Sequence, residues 1–256
     1  MIVPACHDTA SAIAAIPASG DDWAFISSGT WALVGTVLAT PCVNEAAQRM
    51  NFTNLGGAGR AICFLKNVNG MWLLRQCMDE WEERGTLVSL DELVRECEAL
   101  PAPDQLIDID DPRLTLPGDM LGKINAQLRR AGRPAFSLQG RDLPLIANMI
   151  FHSMAERYAD VLGSIIAITG KKLKRLFIMG GGSKNTLLNR LTAERTGLEV
   201  ILGTTESATL GNFAIQMASL QGSWNDTIGV TASSVAHWAE ELAEPSFEEV
   251  RNRETV

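Results

Sequence analysis

Apolar positions along this chain change period several times, and the changes predict its elements. Residues 23–26 and 31–38 are compact apolar runs joined by the polar stretch Ser27-Ser28-Gly29-Thr30, so two strands hinged on a turn are expected. A third short strand is expected near 62–65, and residues 1–6 read as the tail of another. Helical spacing runs over 71–84, 90–99, 118–130 and, after a break at Gly132 and Pro134, over 144–169. A small-residue helix is expected over 8–16 with Asp8 near its N-cap. From 175 onward the order is strand 175–179, a glycine turn, helix 185–196, strand 199–202 and helix 208–221. That order implies a right-handed parallel crossover whose glycine turn lies at the carboxyl end of its strand, where open α/β sheets bind ligands.

Between these elements, residues 101–117 are rich in proline and aspartate and read as a surface excursion with solvated aspartates. The acidic residues Glu240, Glu241, Glu244, Glu248 and Glu249 read as a solvated helix face in a tail over about 240–256. With 256 residues, 46% hydrophobic and 20% charged, one compact domain is the simplest organisation. A net charge of -8 repels nucleic-acid phosphate, and the basic run Lys171-Lys172-Leu173-Lys174-Arg175 reads as a solvated turn leading into a strand. Five dispersed cysteines and three scattered histidines form neither a zinc site nor a disulfide framework, which points to a reducing cytoplasm. Neither an export signal nor a membrane span is expected, because no apolar run reaches about 18 residues. His152 sits inside a helix with no carboxylate motif and reads as a packed or solvated residue rather than a base.

Candidate chemistry gathers in three places. Gly180-Gly181-Gly182-Ser183-Lys184-Asn185 follows an apolar strand, so a flat or anionic ligand can approach bare backbone while Ser183 or Asn185 caps the next helix. The spacing is not a Rossmann fingerprint, since Asn185 stands where a glycine is needed, and no phosphate-binding G-x-x-x-x-G-K-[ST] occurs. A ligand-free glycine turn is the alternative. The Ser27–Thr30 turn offers several donors to an anion, and His7-Asp8-Thr9 places a carboxylate at a helix start. Together these are parts for moving a phosphoryl group, which needs positioning, charge neutralisation and a base for the attacking hydroxyl. Local sequence favours a plain N-cap for Asp8, a role compatible with that of a base kept ionised by the helix dipole. A buried, hydrogen-bonded imidazole is the alternative for His7.

Six stretches carry a family resemblance: His7-Asp8-Thr9-Ala10-Ser11-Ala12, Ser27-Ser28-Gly29-Thr30-Trp31, Asn54-Leu55-Gly56-Gly57, the run from Leu65 to Leu74, the run from Gly180 to Asn189, and the run from Glu206 to Asn212. In order and spacing they resemble the FGGY carbohydrate kinases, and within them the rhamnulokinases, over nearly the whole chain but only the C-terminal half of such a kinase. The resemblance implies an α/β fold, the actin-like ATPase or ribonuclease-H-like C-terminal domain. It also implies ATP, with Mg²⁺, as phosphoryl donor to L-rhamnulose. By resemblance Asp8 is the catalytic base, His7 and Thr9 contact sugar, and Thr30, Asn67, Gly180, Gly181, Gly182 and Asn185 contact the nucleotide. Arg75 stands where the family pattern has a glutamine.

The family's N-terminal domain, which supplies the first phosphate loop, the metal aspartate and most of the sugar pocket, is not expected in residues 1–256. The chain is therefore expected to be inactive or very weak alone, to need a lobe that another chain supplies, and to expose an apolar face and self-associate. A non-catalytic nucleotide-binding remnant and a kinase for another ketose are the rival readings.

Overall fold

A computed structural model describes residues 2, 4–5, 7–137, 142–221, 230–243 and 248–250. Its strands are β1 (Trp23–Ser28), β2 (Trp31–Leu38), β3 (Thr53–Gly56), β4 (Ile62–Asn69), β5 (Arg175–Met179), β6 (Glu199–Leu202) and β7 (Glu248–Val250). Its helices are α1 (Asp8–Ala14), α2 (Glu45–Arg49), α3 (Trp72–Glu83), α4 (Leu90–Glu98), α5 (Met120–Arg130), α6 (Leu143–Thr169), α7 (Thr186–Thr196), α8 (Ser207–Gln221) and α9 (Ala232–Ala243). All seven strands form one sheet in the order β3-β4-β2-β1-β5-β6-β7. β3, β4, β2 and β1 are antiparallel neighbours, whereas β5 runs parallel to β1 and β6 parallel to β5. This antiparallel meander with parallel strands added beyond β1 is the ribonuclease-H-like layout, and the crossover from β5 through α7 to β6 is parallel as the sequence implies.

Side chains leave opposite faces of each strand in turn, so β1 and β5 feed two cores. Ala24, Ile26, Leu176 and Ile178 join a large core with α3 to α7, while Trp23, Phe25, Phe177 and Met179 join a smaller one under α1. Burial on both faces explains why these strands read as unbroken apolar runs. Trp23 meets Phe177 edge to face, with ring centroids 6.0 Å apart. α6 is buried on every side from Ile146 to Ala155, which is why its pattern is apolar without being a membrane span. Among the described residues no helix is long and apolar enough to cross a membrane.

Several expectations are corrected. His7, not Asp8, is the N-cap of α1: its imidazole accepts from the Thr9 amide, and Asp8 is the first helical residue. Of the strand expected over 1–6, the described positions 2, 4 and 5 have no regular structure and the rest lie outside the described residues. β4 continues to Asn69 because it pairs with the full length of β2. Along the stretch of residues 101–117, Ile107, Ile109 and Leu114 are buried, and the other positions are exposed or half-buried. Two of its aspartates are tied down: Asp110 holds Arg157 of α6 at 2.7 Å, and Asp111 pairs with Arg113, whose guanidinium lowers its carboxyl to about 2. The basic run is likewise anchored, with Lys171 donating to the Val37 carbonyl at 3.0 Å and Arg175 paired with Asp22. Glu240 and Glu241 are exposed on α9, but Glu248 and Glu249 lie on a strand paired antiparallel with β6, not on a helix. Glu244 and residues 251–256 lie outside the described residues.

Candidate active site

The sheet brings the candidate turns together because β1 and β5 are parallel neighbours, with Ser27 opposite Met179. Both strands end on the same edge, so the Ser27–Thr30 turn faces the glycine turn that begins at Gly180. A groove of about 480 Å³ runs along this edge and is lined by His7, Thr9, Ser27, Ser28, Gly29, Trp31, Leu33, Asn67, Gly180 and Gly181. A neighbouring cleft of about 640 Å³ is lined by Thr30, Met71, Leu90, Val94, Gly182, Lys184, Asn185 and Thr186, among others. Gly29 and Gly181 line both, so the two spaces meet at these residues.

His7 and Asp8 are exposed and Thr9 is buried. The His7 Nδ1 accepts from the Thr9 amide at 3.1 Å, which puts the proton of the neutral ring on Nε2 and leaves an outward donor. This exposed imidazole excludes the buried alternative. Asp8 stands between two groove-lining residues with a carboxylate that caps nothing.

On the β1–β2 turn, part of the expected donor set is already engaged. The Gly29 amide donates to the Trp31 carbonyl at 3.0 Å, and the Gly29 and Thr30 carbonyls accept from Met71 and Trp72 at 3.2 and 2.9 Å. The turn thus plugs the start of α3, and Thr30 remains exposed at the cleft. Asn67 sits on β4 opposite Leu33 and lines the groove with His7, away from the cleft that holds Asn185. Arg75 lines neither space and pairs with Asp79 at 2.8 Å on the outside of α3.

The glycine turn is a short 3₁₀ turn over Gly181–Lys184. Ser183 is not the cap: its hydroxyl donates to the Gly180 carbonyl at 2.8 Å and so braces the turn. Asn185 caps α7, its Oδ1 accepting from the Leu188 amide at 3.0 Å. Its Nδ2 is buried and makes no hydrogen bond, although the residue lines the cleft.

Two contributions escaped the sequence reading. α4 forms the facing wall of the cleft through Leu90, Asp91, Val94, Arg95 and Glu98, and Trp31 with Leu33 gives the groove an apolar patch. The helical spacing of 91, 94, 95 and 98 marks one face, but nothing local says what that face meets. Among the described residues no group of three or more His, Cys, Asp or Glu could cage a metal ion.

Residues 24–220 match the FGGY family of carbohydrate kinases, C-terminal domain. The chain is 37% identical over 230 residues to "Rhamnulokinase" of Bacteroides thetaiotaomicron, covering 90% of this chain and 46% of that protein. It therefore spans just under half the length of that relative. The fold is similar to xylulose kinase from Rhodospirillum rubrum (TM-score 0.64, 11% identity, 95% of this chain and 45% of that one). It is also similar to ligand-bound xylulose kinase from Lactobacillus acidophilus (0.61, 16%, 95% and 45%) and to Plasmodium falciparum glycerol kinase with ADP (0.58, 11%, 91% and 44%).

Proposed function

Since the chain belongs to the FGGY family of carbohydrate kinases, we propose that it furnishes one wall of an ATP-dependent kinase whose sugar is L-rhamnulose. The C1 hydroxyl of the sugar attacks the γ-phosphorus of ATP, Asp8 takes the hydroxyl proton, and the bond from that phosphorus to the bridging oxygen breaks. L-rhamnulose 1-phosphate and ADP are the products. His7 and Thr9 orient the sugar, Thr30 meets the phosphates, and the nucleotide lies along Gly181 and Asn185, with Gly180, Gly182 and Asn67 around them. The observation that carries this reading is the continuous groove from His7 and Thr9 to Gly180 and Gly181. Phosphoryl transfer is mostly positioning, and this groove joins the neighbours of Asp8, which itself does not line it, to the glycine turn.

The same groove is open. His7 and Asp8 are exposed and Trp31 is 39% exposed, so this wall alone does not keep water from the transferring group. The family's Mg²⁺ would arrive with the nucleotide phosphates, which such an ion bridges together with water and one or two carboxylates. We therefore read the domain, residues 1–256, as the C-terminal lobe of a kinase that works only against a second lobe. A reducing, cytoplasmic setting suits its four described cysteines, which are free thiols. The openness of the groove also favours a second reading, a domain that holds nucleotide and does no chemistry.

The test incubates the chain with Mg²⁺-ATP and L-rhamnulose, first alone and then with a separately produced N-terminal lobe of a rhamnulokinase. No turnover alone and turnover when the lobe is added are expected; brisk phosphorylation by the lone chain overturns the two-lobe reading. In the complemented pair, Asp8→Asn lowers kcat by on the order of 10²-fold with ADP affinity unchanged. An unaltered kcat removes Asp8 as the base.

A further inference from the structure

Ser28 is the point where the two ligand turns touch. It is the last residue of β1, 3% exposed, and held in register opposite Ala32. Gly180 takes φ 85° and ψ -176°, a conformation that L side chains rarely adopt, and a Cβ there would lie 2.7 Å from the Ser28 carbonyl oxygen. A Cβ on Gly182 would lie 2.0 Å from the Ser28 Oγ and 2.7 Å from its Cβ. Gly181, between them, has nothing within 4 Å of the same position. Beneath the turn, Tyr158 of α6 is 1% exposed and its hydroxyl makes no fully formed hydrogen bond. Burial raises the phenol pKa, and the neighbouring Ser28 hydroxyl works the other way.

The three glycines therefore have different reasons to be glycine. We propose that Ser28 is a positioning residue that locks the glycine turn to the Ser27–Thr30 turn, so that Gly182 is bare because of the Ser28 side chain, Gly180 because of its own positive φ and the Ser28 backbone carbonyl, and Gly181 for the ligand. The inference rests on the nucleotide site proposed above and adds a coupling to it. Thr30 is two residues beyond Ser28 in the same turn, and Gly29 and Gly181 line both spaces. A nucleotide seated on Gly181 thus sets, through Ser28, the turn that meets the transferred phosphate.

The experiment measures ADP affinity by calorimetry and the melting temperature by circular dichroism for the parent, Gly182→Ala, Ser28→Gly and the double variant. Gly182→Ala is expected to weaken ADP by about tenfold or more and to melt about 5 °C lower. Adding Ser28→Gly removes the Oγ and Cβ that the new methyl meets, leaving the Ser28 carbonyl oxygen at 3.2 Å. The double variant should recover ADP affinity to within about threefold of the parent. A non-interlocked glycine predicts no such rescue, since two independent lesions add. The proposal is overturned if Gly182→Ala binds and melts like the parent, or if Ser28→Gly leaves the loss uncorrected. If Gly182→Ala does not fold, folding of the double variant supports the lock and its failure overturns it. If the parent binds no ADP, the nucleotide reading falls while the melting temperatures still decide the lock. Gly181→Leu serves as the contrast: its loss of ADP affinity should not be corrected by Ser28→Gly.

Discussion

The two ends of the groove are built in opposite ways. The glycine-turn end grows out of adjacent parallel strands, is braced by Ser183 and by the Asn189 side-chain Nδ2 donating to the Ser183 carbonyl at 2.7 Å, and is capped by its own Asn185. Its cap and hydroxyl brace lie within about ten residues of one another, while Ser28 of β1 packs on the turn from outside that stretch. The Asp8 end is a helix of seven residues in which Asp8 is exposed and Thr9 to Ile13 are buried, and it is held by what lies behind it. There α1 packs on α8, and Gly211 comes so close that a Cβ on it would lie 1.8 Å from the Ser11 carbonyl oxygen and 2.8 Å from the Ala15 amide nitrogen. The cap and brace of the nucleotide seat are written locally, whereas the helix that carries the base is backed by a contact some two hundred residues away in sequence.

The largest effect should come from breaking the remote support. Gly211→Ala drives a methyl into two backbone atoms that cannot rotate away, so α1 must lift off α8. A cost of about 3 kcal/mol is expected from overpacking of this kind. Thermal denaturation should move down by on the order of 10 °C, while ADP affinity, read at a temperature where the variant is folded, stays at the parent value. Equal loss of both would mean that the two ends are not independently built. Next in size is Gly181→Leu, which meets no protein atom within 4 Å of its Cβ but fills the junction of groove and cleft. It should weaken ADP by on the order of 10²-fold with an unchanged melting temperature, the mirror image of Gly211→Ala.

The same contrast explains what the sequence disclosed. β1, β2, β5 and β6 are legible because doubly buried strands are apolar runs punctuated by Gly29 and Gly180, and the glycine turn announces itself between a strand and a cap. β3 is not, since Thr53-Asn54-Leu55-Gly56 has turn composition and becomes a strand only by lying against β4 at the sheet edge. The role of His7 as cap was hidden by Asp8, the better capping type beside it. The α4 wall was hidden for a different reason: periodicity identifies an amphipathic face but not its partner. Family resemblance pointed to nine candidate residues in the chain, yet the placing of eight of them along groove and cleft, with Asp8 lining neither, follows only from the fold, as Asn67 falls on the His7 side through the register of β4 on β2.

Asn185 allows a finer cut through the glycine-turn end, because its two side-chain atoms do different things. Oδ1 caps α7 and Nδ2 has no partner. Asn185→Ala removes both, so stability should fall by about 1 kcal/mol and ADP affinity should fall as well. Asn185→Asp keeps an acceptor for the Leu188 amide and loses the donor, so it should hold the melting temperature while weakening ADP by about tenfold. If Asn185→Asp binds ADP as the parent does, Nδ2 is not a nucleotide donor and the seat reduces to bare backbone.

The smallest effect is a pH dependence confined to the glycine-turn end. His152 of α6 is 7% exposed, and burial lowers its pKa below the ordinary 6.5, helped by Arg195 and Arg190 of α7 and opposed by Glu194. A histidine with a depressed folded pKa stays neutral in the native state while the unfolded chain takes up a proton below about 6.5, so stability rises with pH up to that value and levels off above it. Replacing it by glutamine should remove this slope, which cannot exceed about 1.4 kcal/mol per pH unit. The comparison is the difference in melting temperature between pH 5.5 and 7.5 for parent and His152→Gln, with hydrogen exchange read separately on α7 and α1. Acid should loosen α7 and leave α1 untouched in the parent, and do neither in the variant. An identical pH response in both proteins, or a loss of protection in α1, would mean that the two ends share one cooperative unit after all.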